Sequence, residues 1–281
     1  MIYIPDSLIE HFLLEDIAMG DLTTRSLGLE GKQGKMTFIN RQPTVTSGIK
    51  LSERLLGKLG LVVTTALEDG VKIPKQQVLL QAEGDVAALH QGWKVAQNIL
   101  EWTCGVAYAT SELVQQARTI NPQVQIACTR KSIPGTRLLA TAAILDGGAI
   151  IHRAGTAETI LLFANHRHCL PQPFDWQRYI EQLRHSAPEK KVIVEADTLS
   201  DAEQAIKAQP DIIQLDKFSP GDILKALDLA IQNDFKGQMI AAGGINLSNI
   251  KDYAATSVPV LVTSSPYYAA PEDIKTSIEL C

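Results

Sequence analysis

Seven short segments of this 281-residue chain carry side chains that suit one another chemically: Thr129-Arg130-Lys131, His152-Arg153, Asn165-His166, Glu195, Asp216-Lys217, Gly243-Gly244 and Thr263-Ser264-Ser265. Arg130 and Lys131, in TRKSIPGTR, offer a planar fork and a point charge, a pair suited to a ligand with several anionic groups. Taken alone the motif is equally a solvated loop; His152-Arg153 after the next apolar run favours the binding reading. Glu195 (VIVEAD) and Asp216 (DIIQLD) end apolar runs. A carboxylate there is paired, bound to a hard cation, or hydrogen-bonded to hydroxyls; the plain alternative is a salt bridge to the basic residues. Asp197 is expected to lie outside the site. AAGGIN and TSSP resemble phosphate cradles: Gly243-Gly244 lets backbone N–H groups approach an anion and leads into a helix expected near Asn246, while Ser264 and Ser265 offer hydroxyls.

These segments need a scaffold that brings them to one place. The last four recur at intervals of 21, 27 and 21 residues, about one βα unit each. Short apolar runs predict strands at Val124–Cys128, Ala149–Ile151, Ile160–Phe163, Val192–Val194, Ile212–Leu215, Met239–Ala241 and Val258–Val262. Each candidate segment stands at or just after the end of such a run, where parallel α/β folds gather their reactive groups. Seven strands are one short of a closed eight-stranded barrel. The expected fold is therefore α/β, an open or incomplete barrel, with a doubly wound open sheet as the alternative. Before it, KMTFIN, LVVTTAL and QVLLQA read as strands and residues 51–59 as a helix, an α+β sandwich domain over residues 1–105. Residues 106–281 form the barrel domain, with the C-terminal end expected to pack back on the first. Between residues 85 and 120 helical spacing predicts two bridging helices, broken at Cys104-Gly105.

Composition narrows the function. The chain is 45% hydrophobic and 20% charged with a net charge of −5, which excludes disorder and argues against a nucleic-acid partner. From Thr129 to His168, however, five basic residues (Arg130, Lys131, Arg137, Arg153, Arg167) stand against two acidic ones (Asp146, Glu158), so a small anionic ligand is expected. Four dispersed cysteines and an N-terminal stretch interrupted by charges predict a cytoplasmic protein with no membrane segment. Cys128 reads as an activated thiol or, more simply, a packing residue. The run HRH at residues 166–168 has strand-like spacing for two metal ligands but lacks a carboxylate or cysteine partner at ligand spacing. Trp93 and Trp102 read as core or interface residues.

The order of motifs resembles the quinolinate phosphoribosyltransferase (nicotinate-nucleotide pyrophosphorylase) family along nearly the whole chain: LLEDIAMGDLTT, AQNILEWTCGVAYAT, TRKSIPGTR, GGAIIHRAGTAE, VEADTL, IIQLDKFSP and AAGGINLSNI. Within it, the chain looks most like the branch associated with molybdenum transport. The resemblance implies an N-terminal sandwich, an open barrel, and a homodimer in which one subunit's N-terminal part completes the other's site. It implies that Arg130, His152 and Arg153 hold a ring dicarboxylate and that Lys131 stands between it and the pyrophosphate of phosphoribosyl pyrophosphate. Glu195 and Asp216 then engage ribose hydroxyls and Mg²⁺, and Gly243, Gly244 and Ser264 the 5′-phosphate.

Three departures bear on the substrate. The family's ERxxLN motif is WKVAQN here, which puts Lys94 in place of an arginine and Trp93 in place of a glutamate. Its LIKDNH run is LLFANH, with Phe163 where the lysine stands, and Lys217 replaces the asparagine of LDN. The implied activity is transfer of ribose 5-phosphate to a quinolinate-like acid. The alternatives are the same reaction on a different acidic ring, or a non-catalytic anion- or nucleotide-binding protein linked to molybdate transport.

Overall fold

The computed structural model describes residues 2–281 and divides into two compact units, neither of them one continuous stretch. The first comprises residues up to Ser111 with Ser132–Gly148 and Pro266–Cys281; the second comprises Glu112–Lys131 and Ala149–Ser265.

The first unit packs helices on an antiparallel sheet. Its strands β1 (Gln33–Asn40), β3 (Val62–Ala66), β5 (Val78–Asp85) and β13 (Ile274–Leu280) lie in the order β13-β1-β5-β3, and a small pair, β2 (Thr44–Val45) and β4 (Lys72–Ile73), stands apart. Every second residue of β1 is buried, as a strand covered on one face requires. Met36 and Phe38 on that face pack with Ile9 of α1 (Asp6–Ile17), Leu55 and Leu56 of α3 (Ile49–Lys58), and Leu89 and Leu100 of α4 (Val86–Ile120). A short α2 (Leu22–Ser26) is capped by Asp21, and α5 (Arg137–Asp146) completes the unit.

The expected break at Cys104-Gly105 is not there: α4 is one helix of 35 residues. Gly105 serves packing instead. A Cβ on it would stand 2.3 Å from the Ala270 carbonyl oxygen, so the glycine admits a close backbone approach. Its helix penalty of roughly 0.5–1 kcal/mol relative to alanine is spread over many well-packed turns.

The second unit is a seven-stranded parallel sheet of β6 (Gln125–Cys128), β7 (Ile150–Ile151), β8 (Ile160–Leu162), β9 (Val192–Ala196), β10 (Ile212–Asp216), β11 (Gln238–Ala242) and β12 (Val260–Thr263). Its order is β7-β6-β12-β11-β10-β9-β8. The last strand pairs with the first, as in a barrel, while β7 and β8, consecutive in the chain, are not neighbours. The sheet is a barrel left open between β7 and β8, and this cyclic order excludes the doubly wound alternative. Crossovers are supplied by α6 (Ala164–His168), α7 (Trp176–Ser186), α8 (Leu199–Ala208), α9 (Pro220–Gln232) and α10 (Ile250–Ala254). Asp175, Thr198 and Ser219 cap α7, α8 and α9 by accepting backbone N–H bonds.

Two local expectations change. HRH lies on α6, not on a strand. Its Arg167 is buried 3.9 Å above the Trp176 ring and 3.7 Å from Asp201, which makes it a packing cation. The helix after Gly243-Gly244 begins at Ile250 and lasts five residues. Asn246 and Asn249 fill the interval with a side-chain network on the Gly244 carbonyl, an Asx geometry that delays the helix.

Candidate active site

Hydrogen bonds beyond the strand ends hold the expected segments at one end of the parallel sheet. The Thr129 N–H donates to the Thr263 carbonyl (3.0 Å), His152 N–H to the Cys128 carbonyl (2.9 Å) and Lys217 N–H to the Ala242 carbonyl (2.7 Å). The residues facing inward there are small: Ala127 and Ala242 belong to the barrel's interior cluster, which leaves room for a ligand. A cavity of ≈ 130 Å³ opens among Arg130, Lys131, His152 and Arg153 on one side and Glu195, Gln214, Asp216 and Gly243 on the other, with Phe163 at its edge. A more open hollow of ≈ 700 Å³ shares Arg130, Arg153, Leu161 and Phe163 with it.

On the carboxylate side, Gln214 and Glu195 are register partners on β10 and β9, and the Gln214 amide nitrogen donates to Glu195 Oε2 at 2.8 Å. Burial, followed by the negative charges of Asp216 and Asp197, pushes the Glu195 carboxyl up to about 7, against the opposing pull of the Gln214 hydrogen bond and of Lys131. Positive charge or donated hydrogen bonds arriving here would relieve that. Asp216 keeps 21% of its side chain exposed, and the Lys217 ammonium lies 3.6 Å from it. Among the described residues no cluster of three His, Cys, Asp or Glu side chains can hold a metal by itself. Two oxygen donors such as Glu195 and Asp216 do fit Mg²⁺, which commonly binds through one or two carboxylates together with substrate phosphates and water.

The cationic side is mixed: Arg153 is buried, Arg130 and His152 are half-buried and Lys131 is exposed. Arg153 is 6% exposed, donates to the Thr159 carbonyl at 3.3 Å and stands 6.0 Å from the Phe163 ring centroid. Burial, then the like charge of Arg130, lowers its pKa, while Glu158 opposes the shift. His152 is lowered too, by burial first and Arg153 second, a shift that favours the uncharged ring; its Nε2 is buried without a partner. Phe163 stacks on His166 at 5.7 Å.

Of the glycines, Gly243 (φ 87°) is demanded by its neighbours: a Cβ would sit 2.6 Å from Lys217 Cγ and 2.7 Å from Asp216 Oδ1. Gly244 (φ 74°) has open space where a Cβ would be, the feature a close-approaching ligand needs. Ser264 and Ser265 are half-buried. The Thr263 hydroxyl donates to the Ile245 carbonyl (2.6 Å) and accepts from the Ser265 N–H (3.0 Å), so Thr263 braces this turn.

Some expected residues stand elsewhere. Lys217, with φ 58° and 80% of its side chain exposed, lies on the surface and not in the cavity wall. Lys94 belongs to the first unit, 4.1 Å above the Trp93 ring and 3.0 Å from Gln97, in a hollow with Glu15 and Asp16. Cys128 is fully buried with its thiol pushed up to about 12 by burial, a packing residue with no activation. Gln214 escaped the sequence reading, although its place two residues before Asp216 puts it on the same face of β10.

Comparison with known proteins follows the same two-part plan. Residues 21–104 match the quinolinate phosphoribosyl transferase N-terminal domain and residues 106–277 its C-terminal domain. A protein of Escherichia coli O6:H1 named "Putative pyrophosphorylase ModD" is 49% identical over 279 residues, covering 99% of this chain and 98% of that one. A protein of the same name from Rhodobacter capsulatus is 40% identical over 89% of this chain and 95% of its own. The crystal structure of NadC from Streptococcus pyogenes superposes with a TM-score of 0.88 at 25% identity, covering 98% of this chain and 96% of that one. Because the two matched domains follow one another in a single enzyme's order along nearly the whole sequence, this protein belongs to the quinolinate phosphoribosyltransferase family and is a phosphoribosyltransferase.

Proposed function

We propose that this protein moves ribose 5-phosphate from phosphoribosyl pyrophosphate to the ring nitrogen of a quinolinate-like acid in a Mg²⁺-dependent reaction that releases pyrophosphate, and CO₂ as well when the acid is quinolinate. One observation carries the reading: a single cavity faces Arg130, Lys131, His152 and Arg153 toward Glu195 and Asp216. An anion-binding protein has no use for the carboxylates, whereas ribosyl transfer needs both. The nitrogen–C1 bond forms as the C1–oxygen bond to pyrophosphate breaks, and positive charge develops on the ribose. Arg130 and Arg153 anchor the acid's carboxylate and the His152 imidazole hydrogen-bonds it, which aims the ring nitrogen at C1. Lys131 neutralises the departing pyrophosphate, and Glu195 and Asp216 hold the ribose hydroxyls close to the developing charge. When bound, Mg²⁺ supplies further neutralisation of phosphate charge, with Glu195 and Asp216 as its protein-side oxygens. The Gly243-Gly244 turn with Ser264 and Ser265 receives the 5′-phosphate.

Phe163 favours a second form of this reading, the same transfer onto a ring with one carboxylate fewer, because an aromatic ring beside Arg153 offers apolar contact where a cation would hold a second acid group. In both forms the working unit is a homodimer, with Lys94 of one subunit serving the other's site. No helix among the described residues is long and apolar enough to cross a membrane. The test is to incubate the protein with phosphoribosyl pyrophosphate, Mg²⁺ and a panel of mono- and dicarboxylic nitrogen heterocycles. Pyrophosphate release with one of them is the expected result; none with any ring overturns the proposal.

A further inference from the structure

Gln214 is the one neutral polar side chain buried in the carboxylate wall, and its two ends are treated differently. It is 6% exposed. Its amide nitrogen donates to Glu195 Oε2 at 2.8 Å, while its carbonyl oxygen is buried without a partner. The amide nitrogen faces Glu195 and the oxygen faces away, the orientation that an ionised carboxylate, which only accepts, selects. Among the described residues none donates to that oxygen. Across the ladder stands Ile240; along β10 the same face carries Ile212 and Asp216, one apolar and one an acceptor.

A buried, unpaired acceptor costs enough that a strand otherwise built of apolar residues has reason to exclude it. Here it lines the cavity. Gln214 Oε1, with Glu195 and Asp216 when they are ionised, makes a wall of hydrogen-bond acceptors, unsuited to phosphate or carboxylate and suited to hydroxyls.

We infer that Gln214 is a specificity-determining residue of this site: its carbonyl oxygen accepts a hydrogen bond from a ribosyl hydroxyl and so selects ribose over deoxyribose. The inference rests on the proposed function, since it takes the sugar phosphate to lie against Glu195 and Asp216. Glu195 acts here as the clasp that orients the amide, and Gln214 is the group that touches the ligand.

The experiment is a cycle between one ligand hydroxyl and one side chain. Ribose 5-phosphate, 2-deoxyribose 5-phosphate and 3-deoxyribose 5-phosphate are titrated calorimetrically, with Mg²⁺, into the wild type and into Gln214→Met, a substitution of similar length that removes both polar atoms. Wild type is expected to prefer ribose 5-phosphate over one of the deoxy sugars by roughly ten- to a hundredfold, the usual worth of satisfying a buried acceptor. Gln214→Met is expected to lose most of that preference by binding ribose 5-phosphate less tightly and the deoxy sugar nearly as before. In turnover, the KM for phosphoribosyl pyrophosphate should rise more than kcat falls.

Equal discrimination by both proteins overturns the inference, and so does an equal loss for all three sugars, which would make Gln214 only a support for Glu195. Because the missing acceptor is replaced by an apolar side chain, folding should survive. If it does not, Gln214→Leu replaces it, and a wild type that fails to tell ribose from either deoxy sugar overturns the inference without any variant. A wild type that binds no sugar phosphate and releases no pyrophosphate with any ring acid overturns the functional reading itself, an outcome distinct from the others.

Discussion

The two sides of the cavity draw on different parts of one sheet. Glu195, Gln214 and Asp216 stand on β9 and β10, which lie inside the sheet with ladders on both flanks. His152, Arg153 and Phe163 border the seam where β7 and β8 end the sheet without pairing, and β7 is only two residues long. A side chain on an interior strand inherits its position from two neighbours. One at an open seam is held by its own loop, as Arg153 is by the Thr159 carbonyl. Of the departures from the family pattern near the site, Phe163 lies at the seam and Lys217 just beyond interior strand β10, while both carboxylates are kept.

That contrast can be broken by mutation. The largest effect is expected from the interior side: Glu195→Ala and Asp216→Ala should each weaken Mg²⁺-dependent binding of phosphoribosyl pyrophosphate by roughly a hundredfold, the upper range for a hydrogen bond to a charged group. Titration calorimetry measures it, and unchanged affinity in both would reduce the pair to structural acids.

At the seam the expected change is a gain. Phe163→Lys should raise kcat/KM for quinolinate by roughly ten- to a hundredfold, and by more when the exposed Lys217 is also changed to Asn. Steady-state kinetics on quinolinate and on a monocarboxylic analogue decide it; unchanged or lower quinolinate turnover with an intact fold removes residue 163 from substrate choice.

A smaller effect follows from pH. With its folded pKa raised to about 7, Glu195 binds its proton more tightly in the native state than in the unfolded chain, whose value is near 4.5. The ligand-free protein therefore loses stability as pH rises from about 4.5 to about 7 and no more beyond that. Glu195→Gln should flatten this part of the stability curve in chemical denaturation at pH 5 and pH 8. If the variant keeps the wild-type slope, another group is responsible, and Asp146, raised to about 6 by burial, is the next to test.

The smallest effect concerns the first unit. Lys94→Ala should lower affinity for the acid substrate several-fold, and mixing it with an inactive Arg130→Ala protein should recover activity if the two residues meet across a dimer. Mixed samples that show only the weakened affinity of Lys94→Ala, with no sites of wild-type affinity, separate Lys94 from the shared site.

Much of this was readable before the fold was known. Alternation and length sufficed for the seven parallel strands, since buried parallel strands are short continuous apolar runs, and the charged or small residue closing each run marked the site's rim. Sequence did not show that α4 runs through Gly105, because a glycine in a helical pattern looks the same whether it ends the helix or admits a neighbouring backbone. Nor did it show Gln214, one polar residue in an apolar run, whose meaning depends on Glu195 standing beside it on the next strand.

Residue order alone determined the two-part plan and the strand-end placement of cations and carboxylates, which are properties of local periodicity and spacing, and its motifs carried the resemblance to the family. Only tertiary structure decided that the barrel opens between β7 and β8, that Lys217 faces solvent, that burial lowers the His152 pKa and that Gly243 is required by Asp216 and Lys217. Those outcomes depend on which strands pair, and on burial and the electric field of groups distant in sequence, quantities that exist only once the chain has brought those groups together.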